Sequence, residues 1–246
     1  MVNIITIERE YGCGGGDIAQ LAANRLGWKL WDQRLTEEIA RLANCPKGVV
    51  EAREERNDPL YYRLFKSFLR GSYEGSINAP KLNLVDSETI LKTTRRVVEH
   101  AAERGNCVIV GRGSQQFLKN RADTLRVFLY APREDKIRRL LARGKSEKEA
   151  EGLVDSVDQE RADFIKKYFN VEWPDRAIYH TMINTVIGDE AVVRMILDFK
   201  EAYQARPIRK TAPRLELSPD SDLQRMQKKQ NKDETQHDPQ GTGESH

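Results

Sequence analysis

The sequence predicts an α/β fold, a parallel sheet covered by helices on both faces. Three observations carry this. Short β-branched or apolar runs alternate with longer segments whose apolar residues recur at helical spacing, the pattern of repeated strand–helix–strand units. Cys107-Val-Ile-Val110 is apolar without interruption, as a strand buried on both faces requires. Glycine clusters directly follow two of the strands, where the chain turns sharply into the next segment.

The elements follow in order. Asn3–Ile7 reads as the first strand, and Gly12-Cys-Gly-Gly-Gly16 turns the chain into a helix with Ile18, Leu21, Ala22 and Leu26 on one face. Gly27 suits its C-terminal cap. Trp28–Trp31 is a short second strand ending at Asp32, which completes a βαβ unit. Helical spacing runs from Leu35 to Arg56, a second apolar stripe runs from Leu60 to Leu69, and Gly71–Val85 reads as a loop. Asp86 or Ser87 can cap a long helix through Ala102, closed by Gly105. Cys107–Val110 and Leu125–Tyr130 are the next strands, and Pro132 opens a helix carrying Arg133, Lys136, Arg138, Arg139 and Arg143. Gly144 ends it, and Ser146 with Glu149 forms a capping box for a helix to about Tyr168. Thr181–Val186 is the last strand, and Glu190–Tyr203 the last helix. Residues 206–246 lose their aromatics and turn polar, a disordered tail in composition.

The 246 residues leave about 205 for one domain. Three cysteines (Cys13, Cys45, Cys107) form no C-x-x-C pair, which excludes a disulfide scaffold and a cysteine zinc site and points to a reducing, cytoplasmic setting. Charge is mixed, Lys+Arg 41 against Asp+Glu 38, unlike the one-signed field of a nucleic-acid binder. No apolar run approaches the ~20 residues of a membrane span. Neither nucleic acid nor membrane is expected as a partner.

In such folds ligands gather at the carboxyl ends of the strands. The run Arg9–Asp17 leads glycines into a helix N-terminus, an anion cradle by geometry, or else a tight turn without a ligand. It does not match G-x-x-x-x-G-K-[ST], because Gly15 stands where the lysine would fall. Cys13 is either a thiol activated by the helix or a small residue in a serine-like place. Asp32 is a carboxylate for a metal-bound water or a hydroxyl proton, or a helix N-cap. Arg112 lies between Gly111 and Gly113, a guanidinium poised for a phosphate or a solvated arginine. Asp158 and Arg161 share a helix face three residues apart.

Together Ile4–Arg9 with Gly12–Gly15, Trp31-Asp32, Val108–Gly113, Val127–Ala131, Asp158-x-x-Arg161, Trp173-x-Asp175, Tyr179-His180 and Ile183–Thr185 resemble the cytidylate kinase-like family of P-loop nucleoside monophosphate kinases. The resemblance covers about residues 3 to 203. It implies a P-loop NTPase-like three-layer fold with a five-stranded parallel sheet, an NMP-binding insertion about 35–104 and a helical lid about 133–176. It implies transfer of the ATP γ-phosphate to a pyrimidine nucleotide, CMP or dCMP, with Mg2+. ATP would then lie at Arg9, Gly12, Cys13, Gly14, Gly15, Gly16 and Asp17. The acceptor would lie at Asp32, Arg112, Asp158 and Arg161, and Arg138, Arg139, Arg143 and Arg161 would be the catalytic cations.

Two departures from that pattern stand in the sequence. The P-loop lysine is absent, and Gly113 replaces an aspartate. Arg9 or a lid arginine is then the expected replacement charge. A catalytically weak or silent nucleotide-binding module, or a kinase for another acceptor, is the alternative reading. The metal ligands and the oligomeric state have no signature in the sequence.

Overall fold

A computed structural model of the protein describes residues 1–42 and 87–205. The expected helix beyond Leu42, the 60–69 stripe, the Gly71–Val85 loop, Cys45, Asp86 and the 206–246 tail lie outside the described residues.

Five parallel strands form one sheet in the order β2-β3-β1-β4-β5: β1 Ile4–Arg9, β2 Lys29–Trp31, β3 Cys107–Val110, β4 Thr124–Tyr130 and β5 Thr181–Asn184. The central strand β1 pairs Ile4 to Ile7 with Cys107 to Val110 on one side and Ile4 to Arg9 with Thr124 to Leu129 on the other. All its residues are buried, which explains its continuous Ile-Ile-Thr-Ile run. Alternation then sorts the side chains. Ile5, Ile7, Val108 and Val110 pack with Ile18, Ala22, Val193 and Ile196 of two helices, α1 (Gly15–Leu26) and the last helix, α7 (Asp189–Ala205). Ile4, Cys107 and Ile109 face α2 (Gln33–Leu42), α3 (Ser87–Arg104) and the distal half of α6 (Glu147–Phe169), through Leu35, Ile39, Val98, Phe164 and Ile165. A short α4 (Ser114–Phe117) follows β3, and α5 (Arg133–Ala142) follows β4.

The glycine cap acts as expected, and the capping box forms by its serine half. Gly27 is left-handed at φ 65 and its N–H closes α1 onto Ala23 and Asn24, and Ser146 accepts from the Glu149 N–H at the start of α6. The differences of note lie at β1, β5 and α4. β1 runs two residues past Ile7, because the polar side chains of Glu8 and Arg9 are buried against partners rather than solvated. β5 stops at Asn184, whose Oδ1 accepts from Val186 N and opens a single 3-10 turn over Thr185–Ile187. Helix α4 has no sequence signature beyond the glycine turn before it, being only four residues long. No helix among the described residues is long and apolar enough to cross a membrane.

Candidate functional site

Two glycine turns stand side by side at the carboxyl ends of β1 and β3. The first, Glu10–Gly14, leaves β1 with Glu10 N still bonded to Leu129 O at 2.9 Å. Gly12 (φ 79) and Gly14 (φ 81) take left-handed backbones, and Gly14 is the N-cap of α1 without any side-chain cap. The first-turn N–H groups of α1 thus keep the anion-binding character of a helix start. Cys13 is fully buried, its thiol directed at Leu129 O at 3.7 Å and its carbonyl accepting from Thr185 Oγ1 at 2.7 Å. It fills space, as the serine-like reading expected; no reactive, solvent-facing thiol stands there.

Packing as well as ligand access requires these glycines. A Cβ on Gly12 would lie 3.0 Å from Lys136 Cβ and 3.3 Å from the Lys136 backbone, so α5 rests directly on the loop. A Cβ on Gly15 would lie 2.8 Å from Arg9 Cβ and Cγ. Any side chain at the lysine's place is therefore blocked from beneath. Arg9 itself lies under the loop, 5% exposed, with its guanidinium against Gly111.

The second turn, Gly111–Gly113, holds Arg112 at φ 57. Left-handed arginine is strained. Its side chain crosses to β2 and α2, where Nη1 donates to the Asp32 carbonyl at 2.9 Å and Nη2 to Thr36 Oγ1. The Asp32 carboxylate is farther, 3.7 Å from Nη1. Asp32 thus holds Arg112 chiefly by its backbone, and the same carbonyl accepts from Leu35 and Thr36 at the start of α2.

Arg161 on α6 closes the group. Its Nη1 donates to Arg9 O at 2.9 Å and to Asp158 Oδ1 at 3.1 Å, and Asp158 Oδ1 also accepts from Tyr11 N at 2.7 Å. Arg9, Arg112 and Arg161 are all buried. Burial holds the Arg9 guanidinium below its usual pKa and Arg161 pushes the same way, against Glu8 and Asp32. Burial likewise presses Arg112 down to about 10, with Asp32 opposing and Arg9 and Arg161 adding to it. Since these folded-state values fall below the unfolded ones, charge at this site weighs against folding at neutral pH. The Arg9 Nε–H is buried without a hydrogen-bond acceptor. An oxyanion would answer both defects.

The basic helix divides by face. Arg139 makes a two-point contact with Asp189 at 2.6 and 3.3 Å and lies over Gly14. Arg143 pairs with Asp17 in the first turn of α1. Arg138 points outward, paired with Asp135, and is not brought to the loop. Gly16 is partly exposed in the same first turn. Sequence reasoning passed over Glu8, which accepts from Gln115 at 2.9 Å, Glu10 and Asp189, and read Lys136 only as one cation of its helix. Lys136 is nine-tenths buried, with Nζ 2.6 Å from Glu10 Oε2 and 3.3 Å from Asp158 Oδ2. Burial disfavours its charge, but bonds and attraction to Glu10 and Asp158 prevail and raise its pKa. The signal was available: 136, 139 and 143 share one helical face, and 138 does not.

Residues 4–187 match the model of the cytidylate kinase-like family. The chain belongs to that family. No curated protein matches it. Among solved structures it is similar to an uncharacterized protein from Eubacterium ventriosum, 18% identical, with a TM-score of 0.59 over 82% of this chain and 99% of that one. A shikimate kinase from Acinetobacter baumannii in complex with shikimate also matches, 18% identical, at a TM-score of 0.47 over 84% and 97%. This member of the cytidylate kinase-like family has the expected P-loop NTPase-like α/β fold around a five-stranded parallel sheet.

Proposed function

We propose that the protein is a phosphotransferase that moves the ATP γ-phosphoryl group to a pyrimidine nucleoside monophosphate, CMP or dCMP first. The observation that carries this reading is the buried trio Arg9, Arg112 and Arg161 beside a glycine loop, with the Arg9 Nε–H lacking an acceptor. Three guanidinia held together against burial and mutual repulsion suit a site that spends its working life around phosphate.

The α1 start would hold the donor phosphates through its uncapped N–H groups, with Arg139 over Gly14 and Arg143 beside Asp17. Arg112 and Arg161 would hold the acceptor phosphate, and Asp158 orients Arg161 while anchoring Tyr11 N. The chain's contribution is alignment and charge, with no covalent intermediate on the protein. Magnesium fits as an ion carried on the triphosphate, where it would neutralise phosphate charge. Among the described residues no group of three His, Cys, Asp or Glu side chains is set to hold a metal, and Asp17 is paired with Arg143. Phosphate oxygens and water would supply most of its ligands. The insertion about 35–104 and the lid about 133–176 belong to this reading, as does a cytoplasmic setting.

A second reading, a nucleotide-binding module without turnover, is favoured by one observation: Gly15 has no room for a lysine. The test is ADP release from magnesium-ATP with CMP, dCMP, UMP and AMP in turn. Turnover with CMP or dCMP above the others supports the kinase. ATP binding with no turnover on any acceptor replaces it with the silent module.

A further inference from the structure

The glycine loop lacks a lysine, yet a lysine from another element reaches it. Lys136 packs over Gly12, its Cβ and backbone being the atoms that a Cβ at Gly12 would meet. From there the Lys136 stem carries its ammonium to Glu10 Oε2 at 2.6 Å and Asp158 Oδ2 at 3.3 Å. Glu10 opens the glycine turn directly after β1, and Asp158 is the partner of Arg161. The ammonium therefore stands on the seam between the glycine loop and the arginine trio. With the loop as donor site and the trio as acceptor site, a phosphoryl group in transit would cross that seam.

We propose that Lys136 is the cation that meets the terminal phosphoryl group of the donor triphosphate, in place of a lysine on the loop itself. The inference rests on reading the loop as the donor site. Its neighbours fit the role less well. Arg9 is paired with Glu8 and lies with its guanidinium against Gly111, Arg138 faces solvent, Arg139 is engaged by Asp189 and Arg143 by Asp17. Lys136 is a point charge on a rotatable stem, able to leave one oxygen for another. Its departure also orphans neither carboxylate. Asp158 keeps Tyr11 N and Arg161 Nη1, and Glu10 keeps Ala131 N at 3.4 Å. Its raised pKa keeps the charge in place at neutral pH.

In the transfer the bond from the γ-phosphorus to the β–γ bridging oxygen breaks, ADP leaves with that electron pair, and a bond to an acceptor phosphate oxygen forms. Lys136 gives up no proton. Its charge offsets that of the phosphoryl oxygens as they cross.

The experiment compares the full-length wild type with Lys136→Gln and Lys136→Arg. Each is titrated with β,γ-imido ATP and with ADP, and assayed for ADP release with CMP. The expected result for Lys136→Gln is a loss of about tenfold in affinity for the imido triphosphate with ADP affinity nearly unchanged. A fall in kcat of about 100-fold with the acceptor KM unmoved accompanies it, and Lys136→Arg recovers part of both. An equal loss of both nucleotides, or an unchanged preference for the triphosphate, overturns the proposal. If the wild type releases no ADP with any acceptor, the kinase reading fails on its own and the two titrations still decide the role of Lys136. If Lys136→Gln does not fold, Glu10→Gln with Lys136→Gln removes the charge together with a carboxylate left facing it. The same selective loss is expected there, and its absence also overturns the proposal.

Discussion

The two glycine turns use one backbone device for opposite ends. Both follow a buried strand, both place glycines at positive φ, and both lead into a helix whose N-cap is a left-handed glycine. In the first turn the residue between the glycines, Cys13, is turned inward and the backbone faces the site. In the second the intervening residue is Arg112, forced to φ 57 so that its guanidinium reaches Asp32 and Thr36. The first turn therefore offers peptide N–H groups, and the second offers a side chain. One turn is closed in by packing and the other carries the strain of a left-handed arginine, a difference substitution can expose.

The largest effect is expected at the second turn. Arg112→Met removes a guanidinium that burial and neighbouring arginines disfavour. Turnover should fall by about 100- to 1,000-fold, while the melting temperature holds or rises. Paired kinetics and thermal melts check this; a large loss of stability would mean that Arg112 holds the fold together. At the first turn the balance should reverse. Gly12→Ala meets both a positive φ and the Lys136 backbone, so a loss of about 3 kcal/mol is expected by urea unfolding. Gly27→Ala isolates the conformational part, because nothing lies within 4 Å of its added Cβ. About 1 kcal/mol is expected there. Smallest is Asp17→Ala, which breaks an exposed pair with Arg143 and should change stability by less than about 1 kcal/mol. A several-fold change in ATP affinity in the same variant would show that this pair, too, belongs to the donor site.

The sheet, its flanking helices and both glycine turns were legible because their signals are local. Cys107–Val110 needs no context to read as a buried strand, and Ser146 takes the Glu149 N–H as the spacing states, although the Glu149 carboxylate pairs with Lys145 instead of closing the box. The interior of the site was less legible because its partners lie far apart in the chain. Arg161 finds Arg9 O across 152 positions, and Gln115 finds Glu8 across 107. Lys136 read as one cation among five, since only the fold sets Glu10 and Asp158 against it. Asp32 was noticed for its carboxylate, yet its carbonyl carries the shorter contact to Arg112.

The position of β1 in the middle of the sheet has a consequence for synthesis. β1 leaves the ribosome ahead of both its neighbours and gains them only when residues 107–110 and 124–130 have followed. Its Ile-Ile-Thr-Ile segment is thus an exposed, adhesive edge while more than a hundred residues emerge. At 5–20 residues per second that interval lasts on the order of ten seconds. Until β3 and β4 arrive, a nascent chain of this kind is a natural client for whatever shields apolar strands in the cell.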